Sequence, residues 1–124
     1  MTNLNKYIGR GALFALVAAS ATIATSTYAV PNYDGLWSVS IVTEKGSCDR
    51  GYRYPIRISG GVLANAGSVN VNIVGKVQPS GAITVMVSAA GKTANGNGRL
   101  SGDLGEGSWS GGDCSGTWTA ERRS

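Results

Sequence analysis

The sequence predicts an all-β domain held by one disulfide: a small antiparallel up-and-down β-barrel, with a β-sandwich as the alternative. Three observations carry this prediction. Apolar and polar residues alternate with a period of two in segment after segment beyond residue 30, the pattern of half-buried strands. Glycine-rich polar stretches separate these segments, and none shows the 3.6-residue period of an amphipathic helix. Two cysteines, Cys48 and Cys114, enclose most of this region. Short strands joined in sequence by tight turns form a meander, and closing it into a barrel removes the free edges that a meander exposes.

Residues 1–29 read as a secretory signal peptide preceding a single β domain at 30–124. Lys6 and Arg10 give a basic start without acids, and the Ala-rich apolar run that follows, residues 12–24, is the apolar stretch of an export signal. That run falls short of the roughly 20 residues a helix needs to span a bilayer, so no transmembrane anchor is expected after cleavage. Thr27-Tyr28-Ala29 offers small residues at the peptidase positions, and the cut is expected after Ala29. The protein is therefore expected in the periplasm or the medium, where Cys48 and Cys114 pair.

Cleavage changes the composition that matters. Lys6 and Arg10 are two of eleven basic residues, so nine remain against seven acids, a net charge of +2 instead of +4. That is not the strongly basic footprint of a nucleic-acid binder, and no nucleic-acid partner is expected. Phe14 is lost as well, leaving Trp37, Trp109, Trp118, Tyr33, Tyr52 and Tyr54 as the aromatic supply. A core this thin benefits from a covalent staple. In the chain-entropy model the closed loop contributes on the order of 4 kcal/mol.

The strands follow in order. Trp37, Val39 and Ile41 share one face of the first, and the polar stretch 46–50 ends it with Cys48. Tyr52, Tyr54, Ile56 and Ile58 share a face of the second, with Arg53 and Arg57 opposite. Pro55 cannot donate a ladder hydrogen bond, so this strand is expected at an edge or bulged there. Val69, Val71 and Ile73 form the next, and Ile83, Val85 and Val87 the one after, with a turn at 78–82 containing Pro79 and Gly81 between them. Ala94, Gly96, Gly98 and Leu100 then give a face of very small side chains, which permits close approach or strong curvature. Gly107-Ser108-Trp109-Ser110-Gly111 and Gly116-Thr117-Trp118-Thr119, joined by Gly111-Gly112-Asp113, read as a hairpin, whose two tryptophans share a face if the turn has two residues and lie on opposite faces if it has three.

Two resemblances rest on quoted residues. Gly35-Leu36-Trp37 at the start and Arg122-Arg123 at the end resemble the calycin arrangement, in which an N-terminal Gly-x-Trp tryptophan is covered by an arginine of the last strand. Asp34-Gly35-Leu36-Trp37-Ser38-Val39, Gly46-Ser47-Cys48-Asp49-Arg50, Tyr52-Arg53-Tyr54-Pro55-Ile56 and the ending from Cys114 to Arg122 resemble short exported alphaproteobacterial proteins of unestablished function. Some of these carry labels such as haem utilisation or large exoprotein. Histidine, the commonest haem ligand, is absent here. Met86, Tyr52 and Tyr54 could ligate iron, but one such residue in a strand ordinarily packs, and no haem or other cofactor is expected.

Little catalytic chemistry is available. Without histidine the usual general base is missing, and paired cysteines leave no thiol nucleophile. Asp103, Glu106 and Asp113 fall in glycine-rich turns, where two could flank a glycosidic bond or gather a weak Ca²⁺, yet solvated turn acids are the default. No enzyme is expected. The candidate partner-binding residues are Arg50, Tyr52, Arg53, Tyr54 and Arg57, whose guanidinium groups suit an anionic partner, and Trp109 and Trp118, which form either a core pair or an exposed platform. The expectation is a non-catalytic binding module of the envelope or medium. A structural envelope protein without a ligand is the rival, and a small hydrolase inhibitor fits the same features. An apolar cavity in the barrel favours the first and a filled barrel the second.

Overall fold

The alternation becomes eight strands in the computed structural model of the protein, which describes residues 32–124; the expected signal peptide and its cleavage point lie outside them. The strands are β1 (Gly35–Lys45), β2 (Gly51–Ser59), β3 (Val62–Asn65), β4 (Asn72–Val77), β5 (Ala82–Ala89), β6 (Lys92–Ser101), β7 (Leu104–Gly111) and β8 (Cys114–Arg122). Each pairs antiparallel with the next, and β8 returns to β1, setting Trp37 opposite Arg122 and Ile41 opposite Trp118. The result is a closed up-and-down barrel, not a sandwich. Cys48 and Cys114 form its disulfide, with Cα atoms 6.2 Å apart.

Two local readings of the sequence change. Val69 and Val71 lie in a loop, residues 66–71, and Ile73 belongs near the start of β4 instead of ending a strand. The alternation there is real but is not used in a ladder. Four residues too short to show a period, Val62–Asn65, form β3 instead. Pro55 sits where the sequence argument needs it. The β2–β3 ladder stops at Ile56 opposite Asn65, and the Pro55 carbonyl accepts from Ala66 N at 3.2 Å. Backbone N–H and C=O of one strand residue point the same way, so the missing donor faces the space beyond the end of β3.

Most apolar side chains point inward, although Val42, Val62, Val74, Met86 and Leu104 are exposed on the outside. Trp37, Ile56, Ile58, Leu63, Ile83, Leu100, Trp118 and Ala120 form the buried cluster, while Arg53, Arg57, Asn97, Arg99, Thr119 and Glu121 are exposed between them in sequence. A polar outside around an apolar inside is the reverse of a membrane-spanning barrel. Among the described residues no helix is long and apolar enough to cross a membrane.

The two ends of the barrel differ. At one end Arg122 lies over Trp37, its Cζ 5.0 Å from the ring centroid. Its guanidinium donates to the carbonyls of Asn32 (3.1 Å), Asp34 (2.7 Å) and Gly102 (3.2 Å) and to the Asp103 carboxylate (2.9 Å). The Trp37 indole N–H donates to the Tyr33 carbonyl at 2.8 Å, which carries the incoming chain across this end. Arg123, by contrast, extends to Glu121 on the surface. At the other end the disulfide ties the β1–β2 loop to the start of β8, and the buried Thr43 hydroxyl donates to the Asp49 carbonyl at 2.5 Å.

Candidate functional site

An eight-stranded barrel is just wide enough to be filled by its own side chains or to hold one small ligand. Here the inward side of one wall combines glycine and alanine with Leu100 and two large indoles, Trp109 and Trp118. The inward positions of β6 to β8 include Ala94, Gly96, Gly98, Gly105, Gly107, Gly116 and Ala120, facing branched residues of β1 to β5 such as Val39, Ile56, Ile73, Ile83 and Val85. The interior holds an apolar chamber of about 480 Å³. Such a volume lies within the range of small-molecule sites.

Burial locates the mouth. Trp37, Leu100 and Ile58, all lining the chamber, are 1–3% exposed, whereas Tyr52 and Val69, which also line it, are 52% and 61% exposed. The chamber is thus sealed at the Arg122 end and reached from the disulfide end. Polar groups occur only toward the mouth, where Tyr52, Tyr54, Arg53 and Asn95 contribute to the lining and no acidic residue does. The Tyr54 hydroxyl is committed: it donates to Asn65 Oδ1 at 2.5 Å. Asn65 in turn accepts from Gly67 N (2.7 Å) and donates to the carbonyls of Val69 (2.9 Å) and Val71 (3.1 Å). One amide side chain therefore holds the 66–71 loop, two of whose valines line the chamber.

The tryptophans form the opposite panel. Gly112-Asp113 makes a two-residue turn, so Trp109 stands opposite Gly116 and Gly107 opposite Trp118, with both indoles on the inner face. Trp118 reaches from β8 across β7 to β6. A Cβ at Gly98 would lie 2.7 Å from its Cζ2, one at Gly107 2.6 Å from Cε2, one at Gly105 3.4 Å from Cζ3 and one at Gly96 3.7 Å from Nε1. The four glycines thus meet points across the whole ring, which rests flat on the wall. Its N–H donates to the Ser108 carbonyl at 3.2 Å. Trp109 reaches the other way, past β8, to donate to the Val42 carbonyl of β1 at 3.0 Å. Gly116 keeps that carbonyl open, because a Cβ there would collide with it.

The seven candidate binding residues divide between two sides of the wall. Tyr52, Tyr54, Trp109 and Trp118 line the chamber, with Tyr52 at its mouth. Arg57 is exposed on the outer face, Arg53 is exposed but reaches the rim, and Arg50 lies in the β1–β2 loop. The arginines and tyrosines of β2 therefore form no single cluster. The indoles form no external platform. Met86 is 47% exposed on the outer face, opposite Val74, and so is not inside with the tyrosines. Asp103 pairs with Arg122 at the sealed end, Glu106 is exposed in β7, and Asp113 lies in the turn at the mouth end. Among the described residues these acids form no metal-holding group.

The chain matches no family model, no curated protein and no solved structure. Function has to be argued from the chamber. Sequence reasoning missed Asn65, whose single-residue role leaves no periodic signal, and it read the small residues at 94–98 as permitting close approach without identifying the indole that approaches.

Proposed function

We propose that the protein is an exported, non-catalytic binding module that takes a small apolar ligand into the barrel through the disulfide end. The observation that carries this reading is the chamber itself: about 480 Å³ of apolar space that the protein's own side chains do not fill, sealed at one end and accessible at the other. Binding there draws on the transfer of apolar ligand surface from water, with orientation set by the few polar groups at the mouth. The paired cysteines and the polar outer face suit an oxidising aqueous compartment, the periplasm or the medium.

The test is uptake of an apolar fluorescent probe, N-phenyl-1-naphthylamine, by the folded protein and by Val87→Phe. Val87 is half-buried on the inner wall near the mouth, opposite Ala94, so a phenyl ring there occupies the chamber without meeting the sealed-end core. Saturable uptake by the wild type, reduced at least about tenfold in Val87→Phe, is expected for a bound group of this size. Absence of saturable uptake, or equal uptake by the variant, overturns the reading and leaves the structural one.

A further inference from the structure

The panel formed by Trp109 and Trp118 bears on the shape of the ligand. Most aromatic side chains in a cavity wall can turn to fit what enters. These two cannot do so freely, because each indole N–H is already bonded to a backbone carbonyl, of Ser108 and of Val42. Trp118 is further fixed from below at Gly98 and Gly107, where any Cβ would press into the ring and the neighbouring backbone. One face of its indole is therefore covered by the wall and the other is turned to the chamber that it lines. Leaving these strand positions as glycine weakens the sheet locally, and what it gains is a flat ring surface pressed against the wall.

We infer, building on the binding reading above, that the ligand is a flat, fused-ring compound that lies against the indole panel and turns an acceptor or anionic substituent to the mouth. Three features beyond the panel support this. Beside the panel, Val85 and Val87 of β5 stand next to Gly96 and Ala94 of β6, so stiff β-branched side chains border the wall on which the Trp118 ring rests. The chamber of about 480 Å³ lies within the range of sites that hold small organic ligands, room enough for a three-ring compound with one small substituent. Both polar indole groups are consumed, so the panel offers π-faces and no donors. Among the described residues that line the chamber, Tyr52 brings a hydroxyl to the mouth, exposed Arg53 and Asn95 border it, and none is acidic.

The experiment compares two carboxylates of similar size that differ in shape, anthracene-2-carboxylate and tetradecanoate, by calorimetric titration of the wild type. Offset stacking adds to area burial for the ring compound alone, so it is expected to bind at least about tenfold tighter. Trp109→Leu, checked for folding by its melting curve, is expected to remove most of that advantage and to leave tetradecanoate affinity within about twofold. Equal or tighter binding of tetradecanoate by the wild type overturns the inference, as does unchanged anthracene-2-carboxylate binding in folded Trp109→Leu. The wild-type comparison stands even if the variant does not fold. Binding of neither compound, together with no uptake of N-phenyl-1-naphthylamine, is the separate failure of the binding reading.

Discussion

Replacing Arg122 by methionine separates the two things this residue does at the sealed end: covering Trp37 and binding the chain that crosses it. Methionine keeps an apolar stem over the indole and removes every donor. Four hydrogen bonds disappear, to the carbonyls of Asn32, Asp34 and Gly102 and to Asp103. Asp103 is 75% exposed, so that pair contributes about 0–1 kcal/mol. The carbonyls belong to exposed segments that regain water, which puts each of those bonds near 1 kcal/mol rather than at the upper end for charged donors. Loss of the cation over the Trp37 ring, 5.0 Å away, adds about 0.5–1 kcal/mol. The total is about 3.5–5 kcal/mol. For a domain of this size, about 4–8 °C per kcal/mol, that corresponds to a fall in Tm of about 15–40 °C. Urea and thermal unfolding of Arg122→Met, Arg122→Ala and Asp103→Asn measure it. Arg122→Ala should cost roughly 1 kcal/mol more by uncovering Trp37, and Asp103→Asn less than about 1 kcal/mol. Arg122→Met within about 1 kcal/mol of wild type would refute the view that the guanidinium, and not the stem, closes this end.

Three further outcomes are expected. Cys48→Ala/Cys114→Ala, which opens a loop with a sequence separation of 66 residues, should lose about 4 kcal/mol in urea unfolding, and a loss under about 1 kcal/mol would show that β1–β8 pairing already supplies the constraint. Asn65→Ala should cost about 2 kcal/mol and raise amide hydrogen exchange across residues 66–71 while β6 to β8 stay protected, because one side chain holds that loop to Tyr54 and to its own backbone. Val87→Phe should raise Tm, by the roughly 0.5–2 kcal/mol typical of cavity filling, even as it reduces probe uptake; a large destabilisation would show that the chamber has no room for the ring.

The barrel was legible because period-two alternation specifies which face of each strand is buried, and short glycine turns specify antiparallel neighbours. Trp37, Ile56, Ile58 and Ile83 all face inward as their spacing requires. The same rule misassigned Val69 and Val71, since alternation reports only that side chains point in opposite directions and not that a ladder exists. Those valines do line the chamber, but from a loop held by Asn65. Within the site, the placement of Trp109 and Trp118 depended on whether the connecting turn had two residues or three, a difference of one residue that flips a whole strand face. The hollow interior was least legible. Volume is a sum over all eight strands, and no local pattern carries it; the glycines of β6 and β7 signal only the close approach of the Trp118 ring.

The distribution of restraints explains how a chain with so little core tolerates that hollow. At about 24 cal/mol per Å³, the figure for buried cavities left by truncated side chains, 480 Å³ of wholly enclosed space would forgo on the order of 10 kcal/mol, comparable to the entire stability of a small domain. Opening the chamber to water at one end reduces this, since a wetted wall does not lose its contacts outright. What must then resist unfolding is the pair of ends. The Arg122 network and the Trp37 cluster fix one rim, while Cys48–Cys114 and the Thr43 bond fix the other. Closure leaves the strands between them with no edge to fray. A filled barrel would need neither clamp at full strength. Both clamps occur around an interior that the side chains leave open, so the fold is braced where the chamber would weaken it.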